Sequence, residues 1–177
     1  MPAQPPVLKG ERVVLRGVEP DDHGDLRTFL ADPSVARWWG PGRPDVDALD
    51  DWLANDPETT VWTIQVDDKV AGSLQASEEA EPDYRHAGID LFLGPEFQGK
   101  GLGTEAIRVI AAWLFEERGH HRLTIDPSAA NERAIRAYRA VGFRPVGLMR
   151  QYERGPDGTF HDGLLMDLLR DDFESRP

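Results

Sequence analysis

A glycine-rich segment, Gln98 to Thr104 (Gln-Gly-Lys-Gly-Leu-Gly-Thr), has the composition of a phosphate-binding turn. It follows the apolar stretch Ile89 to Leu93, which is typical of a strand, and it precedes a helical pattern that starts near Leu102. Its glycines allow backbone N–H groups to converge on one point without obstruction by a Cβ atom. The first turn of a helix adds a partial positive charge at the same point. The segment therefore predicts a phosphate site, although a purely structural turn is the alternative.

The spacing of the glycines excludes two common nucleotide-binding motifs. The dinucleotide fingerprint G-x-G-x-x-G is not met, and no G-x-x-x-x-G-K-[ST] sequence is present. The segment reads Q-x-x-G-x-G instead.

Two acidic residues could bind or deprotonate an amine. Asp90 lies in the strand before the glycine turn, and Asp126 precedes Pro127-Ser128 at the end of another predicted strand. An Asp with the ordinary pKa of about 3.9 is a weak base for an ammonium group. Asp90 would therefore have a pKa raised by burial, act through a water molecule, or mainly hold the ammonium group in place. Asp126 could bind an amine or only turn the chain before Pro127.

The composition is that of an acidic globular protein. The 177 residues, 40% of them hydrophobic and five of them Trp, suffice for one domain over residues 1–177 with a buried core. The net charge of −12 makes nucleic acid and membranes poor partners and a polycationic small molecule a better one. Acidity could also serve solubility alone. Acidic clusters at positions 45–51 and 78–83, the latter including Glu79 and Asp83, would concentrate cations beside a pocket.

Other classes of site are disfavoured by the residues present. The absence of cysteine excludes disulfides, thiolate metal ligands and a covalent cysteine intermediate. His120, His121 and His161 lack neighbouring metal ligands in the sequence, so we expect no metal. The sequence has neither an apolar run of about 20 residues nor a basic N-terminus followed by an apolar core. We therefore expect a cytoplasmic protein, either monomer or homodimer.

The elements that would position these residues alternate along the chain. Strands are predicted at 11–16, 60–66, 69–76, 86–93, 122–125, 143–149 and 160–169, and helices from residue 20 and over 45–55, 102–117 and 131–141. The helix at 102–117 is the clearest, because its apolar residues form one stripe. This order predicts an α+β (α/β) fold with a mixed, mostly antiparallel sheet of six to seven strands and helices on both faces.

A tryptophan pair, Trp38-Trp39, stands beside a segment rich in proline and glycine at 41–44. The pair could anchor the core, or it could provide a flat wall for a sugar or another ring.

Several of these segments resemble the GNAT acyltransferases. The Q-x-x-G-x-G segment is similar to their acetyl-CoA pyrophosphate loop, and residues 131–143 resemble the acyl-CoA half of the family signature. Three segments resemble the corresponding segments of aminoglycoside 6′-N-acetyltransferases: the tryptophan pair Trp38-Trp39, the segment Gly88-Ile89-Asp90 and the segment Asp126-Pro127-Ser128. The opening Gly10 to Arg16 is also common among ribosomal-protein N-terminal acetyltransferases, which leaves the substrate open.

The resemblance implies acetyl transfer from acetyl-CoA to an amine, with CoA as product. It gives Asp90 the role of base and Tyr138 the role of acid toward the CoA thiolate, although a Tyr on an apolar helix face could also be a core residue. It implies a cofactor site of Phe92, Leu93, Gln98, Gly99, Lys100, Gly101, Leu102, Gly103, Thr104, Asn131 and Ala134. Within it, Lys100 could be a solvated loop lysine and Asn131 a plain N-cap. The strand before the loop should stop pairing with its neighbour and offer backbone groups to the pantetheine arm.

The substrate residues expected from charge and resemblance are Trp38, Trp39, Glu79, Asp83, Asp90 and Asp126. The expected function is acetylation of the 6′-amine of an aminoglycoside, which would confer resistance to the antibiotic. The first alternative is a GNAT enzyme for another amine, such as a ribosomal-protein N-terminus or a siderophore precursor. A peptide substrate would require an open groove instead of a closed acidic pocket. The second alternative is a sensor that binds acyl-CoA without turnover.

Overall fold

A single mixed sheet runs through the chain in the computed structural model, which describes residues 4–40, 43, 45–54 and 56–174. Its strands are β1 Leu8–Lys9, β2 Val13–Gly17, β3 Thr59–Val66, β4 Lys69–Glu79, β5 His86–Leu93, β6 Arg122–Ile125, β7 Arg144–Arg154 and β8 Phe160–Leu169. Two predicted features lie partly outside the described residues. They are the proline- and glycine-rich segment, at residues 41, 42 and 44, and the helix predicted over 45–55, at residue 55.

The strands lie in the order β1-β2-β3-β4-β5-β6-β8-β7. Every neighbouring pair is antiparallel except β5 and β6, which are parallel. The prediction of a mixed, mostly antiparallel sheet is therefore confirmed. The described chain has eight strands, whereas six to seven were predicted. The additional strand is β1, which contains two residues, too few to give a sequence pattern.

The described helices are α1 His23–Ala31, α2 Pro33–Trp39, α3 Ala48–Trp52, α4 Leu102–Glu116, α5 Glu132–Val141 and α6 Arg170–Glu174. The stripe predicted for α4 is buried: Ala106, Ile107, Ile110, Ala111, Leu114 and Phe115. The sequence Asp32-Pro33-Ser34 both ends α1 and begins α2. The Asp32 side chain accepts a hydrogen bond from the backbone N–H of Ser34, and Pro33 occupies the first helical position.

The two faces of β5 meet different helices. A Cβ atom placed on Gly103 of α4 would lie 3.4 Å from Leu93 Cδ1, so α4 covers the face that Leu93 presents. Phe92 points to the opposite face, where its ring contacts those of Trp39 and Trp52 at centroid distances of 6.4 and 5.1 Å. Helices therefore cover both faces of the sheet, as predicted. Asp90 lies two residues before Phe92 in the same strand, so its side chain points to the same face of the sheet.

A buried ion pair joins the start of the chain to β3. The Asp22 carboxylate accepts hydrogen bonds of 2.7 and 2.8 Å from Arg16 and one of 2.7 Å from Thr63 Oγ1. Burial would raise the pKa of Asp22, but these bonds and one from the Glu19 N–H lower it to about 2. The carboxylate is therefore fully charged at neutral pH, and it fixes the segment before α1 against the sheet.

Candidate active site

A cavity of about 990 Å³ opens where β5 and β6 diverge. In the described structure these strands pair only at Ala87 with Leu123 and at Gly88 with Thr124, whereas β5 pairs with β4 along its whole length. The expectation that the strand before the glycine turn stops pairing with its neighbour is confirmed. The free side of β5 after Gly88 becomes one wall of the cavity.

The other walls come from α2, the glycine-rich loop, α5, the segment after β6, and β7. Ten of the residues predicted from the sequence to bind the cofactor line the cavity: Phe92, Leu93, Gln98, Gly99, Gly101, Leu102, Gly103, Thr104, Asn131 and Ala134. Lys100, which was predicted with them, lies outside the cavity wall. Its carbonyl oxygen accepts a hydrogen bond from Arg12 Nη1 instead.

The glycine-rich loop has the backbone that a diphosphate site needs. Gly99 and Gly101 have φ values of 73° and 77°, which are strained for any residue with a Cβ atom. Gly101 is the N-cap of the 15-residue helix α4, so the helix directs its first N–H groups at the loop. Gln98 Nε2 donates a 2.9 Å hydrogen bond to the Leu93 carbonyl and joins the loop to the end of β5.

Arginines that sequence reasoning did not select add positive charge beside this loop. Arg133 Nη1 donates to Gln98 Oε1 at 3.2 Å, and a Cβ atom on Gly99 would lie 2.8 Å from Arg133 Nη2. Arg37 and Arg136 also line the cavity. Guanidinium groups bind phosphate oxygens well, so this end of the cavity suits a nucleotide. Arg133 is the second residue of α5. The sequence alone does not show that the start of this helix lies beside the glycine-rich loop.

Carboxylates occupy the opposite end of the cavity: Asp90, Asp126 and Glu153. Burial, with the charges of Asp126 and Glu153, raises the pKa of Asp90 to about 7, while a long hydrogen bond from Gln75 opposes the rise. Burial and the charge of Asp126 raise the pKa of Glu153 as well. The three groups therefore repel one another in a partly desolvated space, and a bound cation would relieve that repulsion.

Backbone hydrogen bonds to β8 hold the segment that carries Asp126. The N–H of Leu164 donates to the Pro127 carbonyl at 2.9 Å, and the N–H of Ala129 donates to the Asp162 carbonyl at 2.9 Å. Tyr152 Oη donates a hydrogen bond of 2.5 Å to Asp126 Oδ2. Asp126 therefore has a fixed direction into the cavity.

A bulge in β7 brings Tyr152 and Glu153 to the cavity. Met149 pairs with Gly163 and Glu153 with His161, so three residues of β7 face one residue of β8. Gln151 at the centre has a φ of 48°. The sequence pattern ended this strand at Met149, and both cavity residues were missed because a bulge at a non-glycine residue has no compositional signal.

Tyr138 lies on α5, 8% exposed, and also lines the cavity. Burial and the charges of Asp90 and Asp126 raise its pKa, so the phenol keeps its proton at neutral pH and is a weaker acid than an exposed tyrosine. Asn131 Oδ1 accepts a 3.2 Å hydrogen bond from the N–H of Ala134, which shows that it caps α5 while it lines the same cavity.

Both tryptophans of the predicted pair line the cavity. Trp39 also anchors the core, since its ring meets that of Trp52 at 5.2 Å in an edge-to-face arrangement. The guanidinium of Arg37 lies 4.6 Å from the ring centroid of Trp38.

The end of α2 touches the turn between β7 and β8. A Cβ atom built on Gly40 would lie 2.6 Å from Pro156 Cβ. The contact lies outside the cavity lining, to which α2 and β7 each contribute residues.

Glu79 and Asp83 lie outside the cavity wall, although the sequence placed them among the substrate residues. The predicted acidic loop starts later, because β4 continues to Glu79 and pairs there with His86. Glu79 accepts a hydrogen bond from the N–H of Glu81. His86 precedes Asp90 by four residues, or about 13 Å along the strand, so Glu79 is not brought to Asp90.

The described residues contain neither a metal centre nor a membrane-spanning helix. No group of three or more His, Asp or Glu side chains there could hold a metal ion. None of the described helices has both the length and the hydrophobicity that crossing a membrane requires.

Comparison with known proteins agrees with this geometry. Residues 12–144 match the family described as Acetyltransferase (GNAT) domain. The chain is 30% identical over 166 residues to the aminoglycoside N(6′)-acetyltransferase type 1 of Klebsiella pneumoniae, covering 84% of this chain and 80% of that protein. It is 29% identical over 165 residues to the spermidine N(1)-acetyltransferase of Escherichia coli K12, covering 91% and 88%.

Solved structures give the same result for the fold. The structure of AAC(6′)-Ib in complex with ribostamycin and coenzyme A superposes with a TM-score of 0.76 and 28% identity, covering 93% of this chain and 97% of that chain. The diphosphate-type loop, the divergence of β5 from β6 and the family match are mutually consistent. The chain belongs to the GNAT family of acetyltransferases, which use acetyl-CoA.

Proposed function

We propose that this acetyltransferase acts on the 6′-amine of an aminoglycoside and thereby confers resistance to the antibiotic. The observation that carries the proposal is the convergence of Asp90, Asp126 and Glu153 on one cavity beside the wall formed by Trp38 and Trp39. An aminoglycoside is a polycation built from rings. Several carboxylates would bind its ammonium groups, and the indole faces would contact its sugars.

Asp90 is the candidate base. An ammonium group with a pKa of about 8 transfers its proton to a base of pKa 7 at a cost of about 1.4 kcal/mol, and to an ordinary Asp at about 5.6 kcal/mol. The pKa of about 7 for Asp90 therefore favours proton removal over mere anchoring. A bound ammonium group would lower that pKa, which places the cost between the two limits.

Tyr138 is the candidate acid. Acetyl-CoA supplies an activated acetyl group as a thioester, and its thiolate leaves when the amine is acylated. Tyr138 lines the same cavity and holds its proton at neutral pH, so its Oη is the candidate donor to that sulfur, but its raised pKa makes the transfer costly in the free enzyme. A substrate cation between the carboxylates would lower the pKa of Tyr138 and make the donation easier.

Two features favour a compact substrate over a peptide. The end of α2 touches the turn between β7 and β8 at Gly40 and Pro156, which would leave less room beside these elements for an extended peptide chain. The carboxylates also suit several ammonium groups better than the single amine of a peptide N-terminus.

A linear polyamine is the second candidate, because the spermidine N(1)-acetyltransferase is of similar identity to this chain. A polyamine would use the carboxylates but would leave the faces of Trp38 and Trp39 without ring partners. For either substrate, we propose that the reaction takes place in the cytoplasm, where acetyl-CoA is available.

The test is CoA thiol release from acetyl-CoA with four amines. These are kanamycin, an aminoglycoside with a hydroxyl in place of the 6′-amine, spermidine, and a peptide with a free N-terminal alanine. We expect the highest kcat/KM with kanamycin and loss of at least 100-fold with the 6′-hydroxyl compound. Turnover confined to spermidine or to the peptide would reject the proposal. Binding of acetyl-CoA without turnover of any amine would indicate a sensor.

A further inference from the structure

Arg12, in the turn between β1 and β2, reaches the glycine-rich loop from outside the cavity. Its Nη1 donates a hydrogen bond of 2.9 Å to the Lys100 carbonyl, and its Nε donates one of 2.9 Å to Glu105 Oε2 on α4. A Cβ atom on Gly101 would lie 3.3 Å from Arg12 Nη2. One guanidinium group therefore contacts the loop and the first turn of the helix that follows it.

Glu105 fixes this arginine in place. Its Oε1 accepts hydrogen bonds from the backbone N–H of Arg12 at 2.6 Å and of Val13 at 3.0 Å. Burial would raise the pKa of Glu105, but these bonds and the charge of Arg12 lower it, so the carboxylate is ionised. A Cβ atom on Gly10 would lie 2.7 Å from Glu105 Oε1, which means that the glycine permits this close approach.

The bond to Lys100 also sets the direction of the next N–H group. The described chain contains no cis peptide bond, and in a planar trans peptide the C=O and the following N–H point in opposite directions. The Lys100 carbonyl points to Arg12, outside the cavity wall, while Gly101 lines the cavity. The N–H of Gly101 is therefore directed toward the space where the diphosphate would lie.

We propose that Arg12 is a positioning residue for acetyl-CoA, which holds the Lys100–Gly101 peptide so that the Gly101 N–H faces the diphosphate. Arg12 acts through the loop and is outside the cavity wall itself. A purely structural clamp between β2 and α4 would stabilise the fold without a specific effect on the diphosphate, and the two roles can be separated by measurement.

The experiment measures the Kd for CoA and for pantetheine, which lacks the diphosphate, by calorimetry on Arg12→Ala. Loss of hydrogen bonds that involve a charged group should weaken CoA binding about tenfold or more. Pantetheine binding should change less than twofold, and guanidinium ion at sub-denaturing concentration should restore part of the CoA affinity. Arg27→Ala is the matched control, because Arg27 and Arg12 side chains are both 49% exposed and both form ion pairs; it should bind CoA like the wild type.

An unchanged CoA Kd in Arg12→Ala, or an equal loss for CoA and pantetheine, would overturn the proposal. If Arg12→Ala does not fold, Arg12→Lys provides the test, since it keeps the charge but replaces the fork of donors by one ammonium group. We expect it to weaken CoA binding severalfold without affecting pantetheine, and wild-type CoA affinity would contradict the role. These outcomes do not depend on which amine is acetylated.

Discussion

Tyr152 Oη donates a 2.5 Å hydrogen bond to Asp126 Oδ2, so a residue of the β7 bulge orients an acid in the segment after β6. The Tyr152 ring rests on Gly163, where a Cβ atom would lie 2.8 Å from Tyr152 Cδ1. The bulge, the glycine and the carboxylate thus form one unit. The direction of Asp126 therefore depends on a strand that contains neither Asp90 nor the glycine-rich loop.

We expect Tyr152→Phe to raise the KM for the amine about tenfold, because a hydrogen bond to a charged group contributes about 1.5–3 kcal/mol. The KM for acetyl-CoA and kcat should stay within about twofold, since the glycine-rich loop and Asp90 are unchanged. Steady-state kinetics with each substrate varied in turn measure this. Tyr84→Phe is the control, as Tyr84 is 75% exposed and outside the cavity. An unchanged amine KM in Tyr152→Phe would show that Asp126 does not need this bond.

Asp90→Asn should lower kcat by about 10²–10⁴-fold, the usual contribution of a general base. The pH profile gives a second result. With a pKa of about 7 for Asp90, kcat/KM for the amine should fall about tenfold per pH unit below pH 7 in the wild type, because the base becomes protonated. The variant should lose this acidic limb, and Asp50→Asn on the exposed surface should retain it. Wild-type rates in Asp90→Asn would assign Asp90 a structural role.

The same residue should make stability depend on pH. The pKa of Asp90 is about 7 in the folded protein and about 3.9 in an unfolded chain. Between these values the folded state binds more protons than the unfolded state, so the contribution of Asp90 to stability falls as pH rises from about 4 to about 7. Asn has no such dependence. Thermal unfolding should therefore give Asp90→Asn a higher Tm than the wild type at pH 8 and a smaller difference at pH 5; a lower Tm at pH 8 would contradict this account.

The glycine-rich loop can be tested at Gly101. Its φ of 77° and the Arg12 guanidinium 3.3 Å from the Cβ position leave no unstrained conformation for a β-branched side chain. Gly101→Val should raise the KM for acetyl-CoA about tenfold or more and leave the amine KM within about twofold. Gly147→Val is the control, since nothing lies within 4 Å of its Cβ position. If the KM for acetyl-CoA is unchanged in Gly101→Val, the diphosphate does not bind at this loop.

The order of elements and the cofactor end of the cavity could be predicted because their signals are local. The stripe of α4 has a strict helical period, and glycines 99 and 101 need a backbone that other residues avoid. The divergence of β5 from β6 was inferred from family resemblance, and the register confirms it.

The missed features depend on contacts between distant segments. A proline can follow the end of one helix or occupy the first position of another. Only the folded chain shows that Pro33 does both, because it follows α1 and begins α2. Gln151 adopts a positive φ because β7 must accommodate extra residues opposite β8, so the positions of Tyr152 and Glu153 had no local cause. Arg133 has the pattern of a solvated helix face until Gln98 is placed beside it.

The central claim is that the acidic cavity presents an aminoglycoside 6′-amine to Asp90. The most direct measurement is the site of acetylation in the product formed from tobramycin and acetyl-CoA, determined by NMR after purification. We predict a single acetyl group on the 6′-nitrogen, formed with release of CoA and formed about 10²–10⁴-fold more slowly by Asp90→Asn. Acetylation at another nitrogen, or no acetylated tobramycin under conditions where another amine is acetylated, would contradict the claim.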